Sequence, residues 1–244
     1  MSHRLRVPVH DMKEGTWELD PEASRYVAKV HRMKTGQSLV LFDPWLGLEA
    51  QAEILSDQLP RLQVEVAEVQ EAPRHEMPVT LAVLVAKLDK PEQAMRDATA
   101  LGAERLALVQ GERSVARSES AGRAERLMRV AEQVARQCGR GRIPTLVGPL
   151  SLPEFLAQCP ADALKLICAF HSEARPLLHF TEAVVKATDG VIVLVGPEGG
   201  FSPEELRMCL EAGAQPVDLG PYVLRAEVAV GAVLAGLRAM FVAR

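Results

Sequence analysis

Residues 194–205, Leu-Val-Gly-Pro-Glu-Gly-Gly-Phe-Ser-Pro-Glu-Glu, constrain the fold of this chain more than any other segment. They continue an apolar run, 191–195, and their central glycine pair allows backbone conformations closed to residues with a Cβ atom. Ser202 and Glu205 then have the spacing of a capping box, with proline at the first helical position. The segment predicts a strand, a tight glycine loop and a helix, an arrangement that places ligands at the carboxyl end of a strand. An ordinary strand-to-helix turn has the same pattern and stays open as an interpretation.

From residue 79 onward, strand-like and helix-like segments alternate, which is typical of a parallel sheet covered by helices. The predicted strands are 79–86, 105–109, 164–170, 190–195 and 217–219, and the predicted helices are 91–101, 119–138, 173–187, 202–213 and 227 to the C-terminus. A second glycine loop, Leu219-Gly-Pro-Tyr-Val-Leu-Arg-Ala-Glu, again joins a strand to a helix. Because loops after neighbouring parallel strands lie side by side, the two glycine loops are predicted to form one ligand site.

The chain before residue 72 has a different pattern, in which apolar and polar residues alternate. This period of two occurs at 38–42, 48–55 and 62–66, and it predicts a small, mostly antiparallel β domain. One predicted helix interrupts the pattern, beginning at the cap Asp20 and running to about Arg32. A connector rich in proline and charge follows, so the sequence predicts two domains, 1–72 and 73–244.

Composition excludes several classes of protein. No apolar run reaches the roughly 18 to 20 residues that span a bilayer, and the N-terminus lacks a signal-peptide core, so we expect a cytoplasmic protein with no membrane contact. Four cysteines without Cys-x-x-Cys spacing, and histidines without metal-ligand spacing, predict neither a disulfide framework nor a metal site. P-loop and dinucleotide fingerprints are absent from the sequence. Cys138 or Cys168 with His171 is a possible nucleophile and base, but buried thiols are the more common interpretation.

Positive charge is concentrated in the middle of the chain. The net charge is −4, yet residues 105–142 contain nine arginines and four glutamates, a local excess of five. Local clustering of this kind, rather than the whole-chain balance, governs contact with phosphate. A solvated helix face is the alternative, because Glu125 and Arg129, and Glu132 and Arg136, have i,i+4 spacing.

The two glycine loops resemble those of a known enzyme family. The motifs Gly196-Pro-Glu-Gly-Gly-Phe-Ser202 and Leu219-Gly-x-x-x-Leu-Arg-x-Glu227 are similar to those of the methyltransferases that make N3-methyluridine in 16S ribosomal RNA. The resemblance extends over essentially the whole chain, to Val30-His-Arg-Met33, Leu101-Gly-Ala103, Glu112-Arg-Ser114 and Gln137-Cys-Gly-Arg-x-Arg-Ile-Pro144. The chain departs from the family at Ala226 and Val228, where the family usually has threonine, at Ala100, where it commonly has glutamate, and at Leu5-Arg6, where it often has an aromatic pair.

The resemblance implies a fold, a cofactor and partners. The fold is α/β of the SPOUT class, a parallel sheet whose last part, about 165–244, forms a trefoil knot, preceded by a small PUA-like β-barrel domain that binds RNA. The cofactor is S-adenosylmethionine (SAM), and the reaction is methylation of N3 of a specific uridine in the decoding region. The implied partners are 16S rRNA or the assembled small ribosomal subunit, and a second copy of the chain in a homodimer.

The resemblance and the basic cluster together give candidate site residues. The SAM-binding candidates are Phe170, His171, Val195, Gly196, Glu198, Gly199, Gly200, Leu219, Gly220, Val223 and Leu224. The RNA-binding candidates are Arg4, Arg32, Arg113, Arg117, Arg140 and Arg142. We expect Arg225 to stabilise charge on uracil O2 or O4, oriented by Glu198 or Glu227. Alternatively, Arg225 and Glu227 form a structural ion pair that caps the last helix.

Three other functions agree with the sequence. One is a non-catalytic RNA-binding protein that has lost the methyl donor, and another is a small-molecule α/β enzyme whose arginines only solubilise its surface. The third is a SPOUT methyltransferase that modifies another rRNA or tRNA nucleotide.

Overall fold

The computed structural model of the chain describes residues 4–74, 78–85, 91–112, 121–187 and 189–242. Its backbone contacts group the described residues into two compact units. The first unit contains Met1–Arg74 and Glu132–Ile143, and the second contains His75–Ala131 and Pro144–Arg244. The sequence placed a single boundary after residue 72 and did not predict that Glu132–Ile143 groups with the first unit.

The first unit is built on a mostly antiparallel sheet. Its described strands are β1 (Arg6–Pro8), β2 (Gly15–Glu18), β3 (Ser38–Asp43), β4 (Leu48–Ser56), β5 (Gln63–Val66) and β6 (Gln70–Glu71). The order is β1-β3-β4-β5-β2 with β6 beside β4, and of these pairs β1 with β3 is parallel. The alternation predicted for β4 and β5 is confirmed, because Ala52, Ile54, Val64 and Val66 are buried between exposed neighbours.

The helix predicted from Asp20 to Arg32 is shorter than expected. Asp20 caps α1 (Pro21–Arg25) as predicted, accepting hydrogen bonds from two backbone N–H groups, and a π-helical turn, Tyr26–Val30, follows. Arg32 has φ of +53°, a left-handed conformation that ends any right-handed helix before it.

The second unit contains a parallel sheet, as the sequence predicted. Its described strands are β7 (Val79–Val85), β8 (Arg105–Gln110), β9 (Thr145–Ser151), β10 (Leu164–Cys168), β11 (Arg175–Pro176), β12 (Val191–Val195) and β13 (Gln215–Asp218). The order is β11-β13-β10-β12-β7-β8-β9, and every pair is parallel. All five residues of β12 are buried, which explains its unbroken apolar sequence.

Helices connect these strands. Their bounds are α2 (Pro91–Leu101), α3 (Ala121–Cys138), α4 (Leu152–Ala157), α5 (Thr181–Lys186), α6 (Pro203–Glu211) and α7 (Ala226–Val242). Within the second unit, α7 packs against α2, α5 and β12. In the part of the chain that the structure describes, no helix is both long enough and apolar enough to cross a bilayer.

Three predictions about this unit were wrong or incomplete. The helix predicted over 173–187 is instead β11, a 3-10 turn (Leu177–Phe180) and α5. Pro176 explains the error, because it has no N–H group and restricts the preceding residue to extended backbone. The strand predicted over 164–170 ends at Cys168. Finally, β9 and α4 were missed, since Gly148-Pro149 within β9 is a turn signal in the sequence.

Candidate functional site

Three loops of the second unit line one cavity because of the strand order. Strand β10 lies between β13 and β12, and all three strands are parallel, so their carboxyl ends meet at the same edge of the sheet. The residues that follow these strands line a cavity of about 710 Å³. Carboxyl ends of strands in open α/β sheets are the usual ligand position, and the volume lies within the range of small-molecule sites.

The loop after β12 brings bare backbone to this cavity. A Cβ atom on Gly196 would lie 3.0 Å from two ring carbons of Phe201, so the fold leaves little room there for a side chain. Gly200 has φ of +71°, and its N–H donates to the carbonyl of Pro197 at 2.8 Å, which closes the turn. The loop therefore presents peptide groups, rather than side chains, along part of the cavity wall.

The helix start predicted after this loop is confirmed. The Glu205 N–H donates to Ser202 Oγ at 3.1 Å, and the Ser202 N–H donates to Glu205 Oε2 at 2.7 Å. The other carboxylate oxygen, Oε1, accepts from the N–H of Glu112 at 2.7 Å. Because its two carboxylate oxygens bind N–H groups of different loops, buried Glu205 links the loop after β12 to the loop after β8. The Ser-x-x-Glu spacing predicted the cap, whereas no sequence signal indicated the second contact.

The loop after β13 gives the cavity an aromatic and apolar rim. Gly220 has φ of +131°, and its N–H donates to Asp218 Oδ1 at 2.9 Å, which folds the loop back on the strand end. Tyr222 and Val223 are 80% and 77% exposed, and Phe170, from the loop after β10, is 78% exposed. Large apolar side chains this exposed at a cavity rim are typical of a contact surface.

Every SAM-binding candidate named from the sequence lines this cavity. They are Phe170, His171, Val195, Gly196, Glu198, Gly199, Gly200, Leu219, Gly220, Val223 and Leu224. Arg225 also lines it, whereas Glu227 lies in the first turn of α7 and is not among the lining residues. Lining residues that were not candidates include Cys168 and Asp218 at the ends of β10 and β13, Ala174 just before β11, Leu206 in α6, and Ala226 and Ala229 in α7.

The charged side chains of Arg225 and Glu198 at the cavity are exposed to solvent. Arg225 is exposed, and within the described ranges no carboxylate lies within 4.0 Å of its guanidinium. The structural ion pair between Arg225 and Glu227, left open by the sequence, is therefore not formed. Glu198 is also exposed on the opposite loop. The cavity wall thus carries one arginine, Arg225, and two exposed carboxylates, Glu198 and Asp218, and Asp218 already accepts from the Gly220 N–H.

The cysteine nucleophile is not supported. Burial raises the pKa of the Cys168 thiol to about 12, so the thiol is protonated at neutral pH and unsuited to attack. Cys138 does not line the cavity, and His171 Nδ1 accepts from the N–H of Glu173 at 3.2 Å. Among the described residues, no group of three or more His, Cys, Asp or Glu side chains has the geometry of a metal site.

The RNA-binding candidates differ in whether their guanidinium groups already have hydrogen-bond or ion-pair partners in the protein. Arg4 donates to Gln51 Oε1 at 2.7 Å and is exposed, as is Arg32. Arg142 is largely buried and donates to the carbonyl of Ala72 and to Glu71, both at 3.2 Å. Arg140 is half-buried and is not free of partners. Arg113 and Arg117 lie outside the described residues.

The solvated-face alternative for α3 holds only in part. Glu125 and Arg129 lie 3.9 Å apart on exposed side chains, as i,i+4 spacing predicts. Glu132 and Arg136 are not paired, because Glu132 Oε1 accepts from Trp45 Nε1 at 2.7 Å. Arg136 instead lies over the ring of Tyr26, 4.3 Å from its centroid.

Comparison with known proteins agrees with this geometry. A family described as an RNA methyltransferase domain matches residues 73–238. Ribosomal RNA small subunit methyltransferase E of Mycobacterium bovis is 33% identical over 88% of this chain and 84% of the relative. The enzyme of the same name from Synechocystis is 29% identical over 98% of this chain and 78% of the relative.

Solved structures give the same answer for the fold. A Legionella pneumophila protein described as a methyltransferase, solved with the cofactor SAM bound, is 29% identical with a TM-score of 0.81, covering 97% of this chain and 98% of that one. A ribosomal RNA small subunit methyltransferase E from Neisseria gonorrhoeae has a TM-score of 0.84 over 98% of each chain, at 24% identity.

Proposed function

The chain belongs to the RNA methyltransferase family, and from this we propose that it transfers a methyl group from SAM to N3 of a specific uridine in 16S ribosomal RNA. The observation that carries the proposal is the convergence of three loops, from β10, β12 and β13, on one cavity that contains every SAM-binding candidate. The Mycobacterium bovis relative is named a ribosomal RNA small subunit methyltransferase, and the Legionella pneumophila structure has SAM bound.

The cavity suits SAM in size and in lining. Its volume of about 710 Å³ accommodates a ligand of this class. Backbone of the loop from Gly196 to Gly200 lines the cavity, where peptide groups other than the Gly200 N–H, which donates to Pro197, would meet the polar edges of an adenosine. Leu206, Val217 and Ala229 supply apolar wall for a flat ring. When bound, SAM supplies an electrophilic methyl group on a positively charged sulfur.

The chain's own residues must prepare the acceptor. Uridine N3 carries a proton and is a weak nucleophile, so that proton has to pass to solvent, and negative charge develops on the uracil as it leaves and as the methyl group moves from sulfur to N3. The guanidinium of Arg225, exposed at the cavity, would stabilise that charge at O2 or O4, and Glu198, which also lines the cavity, would orient it. Placing N3 in line with the methyl group supplies much of the remaining rate acceleration.

The first unit would serve as a PUA-like RNA-binding domain. Its mostly antiparallel sheet and its exposed Arg4 and Arg32 support that role. In the second unit, the chain after β12 passes to β13 on the far side of β10, although β12 itself lies between β10 and β7. This crossing supports the trefoil knot proposed for the last part of the chain, about 165–244.

A second copy of the chain would complete the site. Phe170, Leu178, Tyr222 and Val223 are each at least 75% exposed, an apolar surface beside the cavity that a partner subunit would cover. Sedimentation velocity at micromolar concentration is expected to give a dimer. A monomer throughout the range would refute this part of the proposal.

The decisive experiment separates donor binding from methyl transfer. Arg225→Ala is expected to keep the SAM affinity of the wild type in calorimetry and to lower the turnover on small ribosomal subunits by about 10²- to 10³-fold. Arg207→Ala is the matched control, because Arg207 pairs with Glu204 and Glu211 on α6 and does not line the cavity. Wild-type turnover in Arg225→Ala would remove Arg225 from catalysis.

The product identifies the reaction. Mass spectrometry of 16S rRNA nucleosides from a strain lacking the gene is expected to show the loss of N3-methyluridine at one position. Loss of a different methylated nucleotide would assign another target to the same fold. RNA binding without any SAM binding would favour a non-catalytic RNA-binding protein.

A further inference from the structure

A second cavity lies within the first unit and shares no lining residue with the candidate active site. Its volume is about 300 Å³, at the lower end of the range for ligand pockets. We call it the Tyr26 pocket, after a wall formed by Arg4, Arg6, Tyr26, His31 and Arg136, with Leu5, Gln137 and Gly139 completing the lining. All lining residues are basic, aromatic, apolar or neutral, so the wall itself contributes positive charge and aromatic surface.

Arg136 contributes a fixed positive charge to this pocket. Its guanidinium lies 4.3 Å from the centroid of the Tyr26 ring, and the His31 ring meets Tyr26 edge-on with centroids 4.6 Å apart. Glu132, one turn earlier on α3, accepts from Trp45 instead. Among the described residues, no carboxylate lies within ion-pair distance of Arg136, so an anionic ligand would meet its full charge.

The other two arginines also have donors to spare. Arg4 is bonded to the neutral side chain of Gln51, which leaves its charge uncompensated. Arg6 pairs with Glu49 through Nη2 at 2.8 Å, but its Nε is buried and has no hydrogen-bond partner among the described residues. Three guanidinium groups thus face one carboxylate, a net positive environment.

We propose that the Tyr26 pocket binds one nucleotide of single-stranded RNA, other than the nucleotide that is methylated. Arg4, Arg6 and Arg136 bind its phosphate, and Tyr26 with Leu5 forms the surface for its base. Arginine binds phosphate through its planar fork of donors, and aromatic and guanidinium planes stack on any base. The proposal rests on the proposed function in one respect, that the substrate is RNA.

The size of the pocket favours a nucleotide over an acidic peptide. A volume of about 300 Å³ holds one compact group rather than an extended chain. A guanidinium fork accepts a carboxylate as well as a phosphate, but the stacked surface of Arg136 and Tyr26 suits the flat face of a base, which an acidic side chain lacks. The pocket therefore combines cationic groups for a phosphate with an aromatic surface for a base, and a nucleotide of single-stranded RNA carries both.

The test measures RNA affinity and its salt dependence. The probe is a fluorescein-labelled oligouridylate of about 12 nucleotides, followed by anisotropy between about 50 and 200 mM KCl. Arg136→Ala is expected to weaken binding about tenfold and to lower the slope of log affinity against log salt by about one. Tyr26→Leu is expected to weaken binding about fivefold without changing the slope, because it removes stacking and no charge.

Arg129→Ala is the matched control. Arg129 is on the same helix, its side chain is 70% exposed and it is not part of the pocket, while the change in net charge is the same. Its loss of affinity is expected to stay below about twofold. Equal weakening by Arg129→Ala and Arg136→Ala would overturn the proposal, since it would reduce the effect to general electrostatics. If Arg136→Ala fails to fold, Arg4→Ala carries the same expectation, because Arg4 is exposed.

The outcome is separable from that of the proposed function. The pocket variants are expected to keep the SAM affinity of the wild type, because no pocket residue lines the active-site cavity. A wild-type protein that binds the oligouridylate but methylates no rRNA would refute the proposed function and leave the pocket intact. A wild type that does not bind the oligouridylate, or that binds an oligoglutamate of the same charge as tightly, would overturn the pocket as an RNA site.

Discussion

Glu205 provides the sharpest test of how the active-site loops are held. Its carboxylate accepts two hydrogen bonds of 2.7 Å, from the N–H groups of Ser202 and Glu112, and both Glu205 and Ser202 are only 5% exposed. Glu205→Ala would leave both N–H groups without an acceptor. The penalty is about 1–3 kcal/mol for the buried Ser202 N–H and less for the N–H of Glu112, because Glu112 is exposed, so the loss is about 1–4 kcal/mol of the 5–15 kcal/mol typical of a folded protein.

The chain contains its own control for this substitution. Glu154 forms a capping box of the same Ser-x-x-Glu spacing with Ser151, whose N–H donates to Glu154 Oε2 at 2.8 Å. That box is exposed, so water can replace the lost carboxylate. Glu154→Ala is therefore expected to lower the free energy of unfolding far less than Glu205→Ala, although the residue and the motif are the same.

The measurement is urea unfolding followed by circular dichroism, with SAM affinity from calorimetry on the folded variants. Glu205→Ala is expected to weaken SAM binding as well, because Ser202 ends the loop that carries Gly196 and Gly200. Glu154→Ala should leave SAM affinity unchanged. Equal losses of unfolding free energy in the two variants would refute the reasoning, since burial is what distinguishes the two boxes.

Three further predictions concern backbone strain and titration. Gly200→Ala is expected to lower the free energy of unfolding by about 1–2 kcal/mol, because φ is +71° and an L-residue is strained there even though no atom lies near the new Cβ. Gly122→Ala is the control, because Gly122 lies in α3 with equal space around it, and this change should raise the free energy of unfolding by up to about 1 kcal/mol in the same urea assay. Burial raises the pKa of Cys168 to about 12, so iodoacetamide at about pH 8 should label the exposed Cys138 first, as peptide mass spectrometry would show, and the reverse order would contradict it. Burial raises the pKa of Asp97, so the ionised carboxyl destabilises the fold at pH values above the pKa of the folded state. Asp97→Asn should therefore raise Tm at about pH 7, but not at a pH below the unfolded-state pKa of 3.8, where the carboxyl is protonated in both states. An equal gain in Tm at both pH values would show that burial of the charge is not the cause.

Local sequence signals predicted those parts of the structure that depend on neighbouring residues. The capping box at Ser202, the cap at Asp20 and the continuous apolar strand β12 are all as expected. Each is decided by hydrogen bonds or burial within a few residues, so a short stretch of sequence contains the whole cause. The same signals failed where a single residue changed the outcome, as Pro176 did within the helix predicted over 173–187.

Contacts between distant segments were not predictable in this way. The grouping of Glu132–Ile143 with the first unit, and therefore the contact of Arg136 with Tyr26, depends on side chains more than a hundred residues apart. The i,i+4 rule favoured Glu132 as the partner of Arg136, and a tertiary hydrogen bond from Trp45 overrode it. A weak local preference of a few tenths of a kcal/mol yields easily to such a contact.

The active-site cavity follows from strand order, which no local pattern specifies. The sequence pattern predicted two neighbouring glycine loops and the family resemblance added Phe170 and His171, but neither indicated the strand order, β10 between β13 and β12, that brings all three loops together. The first turn of α7 also lines the cavity, through Ala226 and Ala229, so the positive end of that helix adds to the charge of Arg225. Negative charge that develops on a bound uracil would therefore be stabilised from α7, while Glu198 faces the cavity from the loop after β12, where a cationic donor would be favoured.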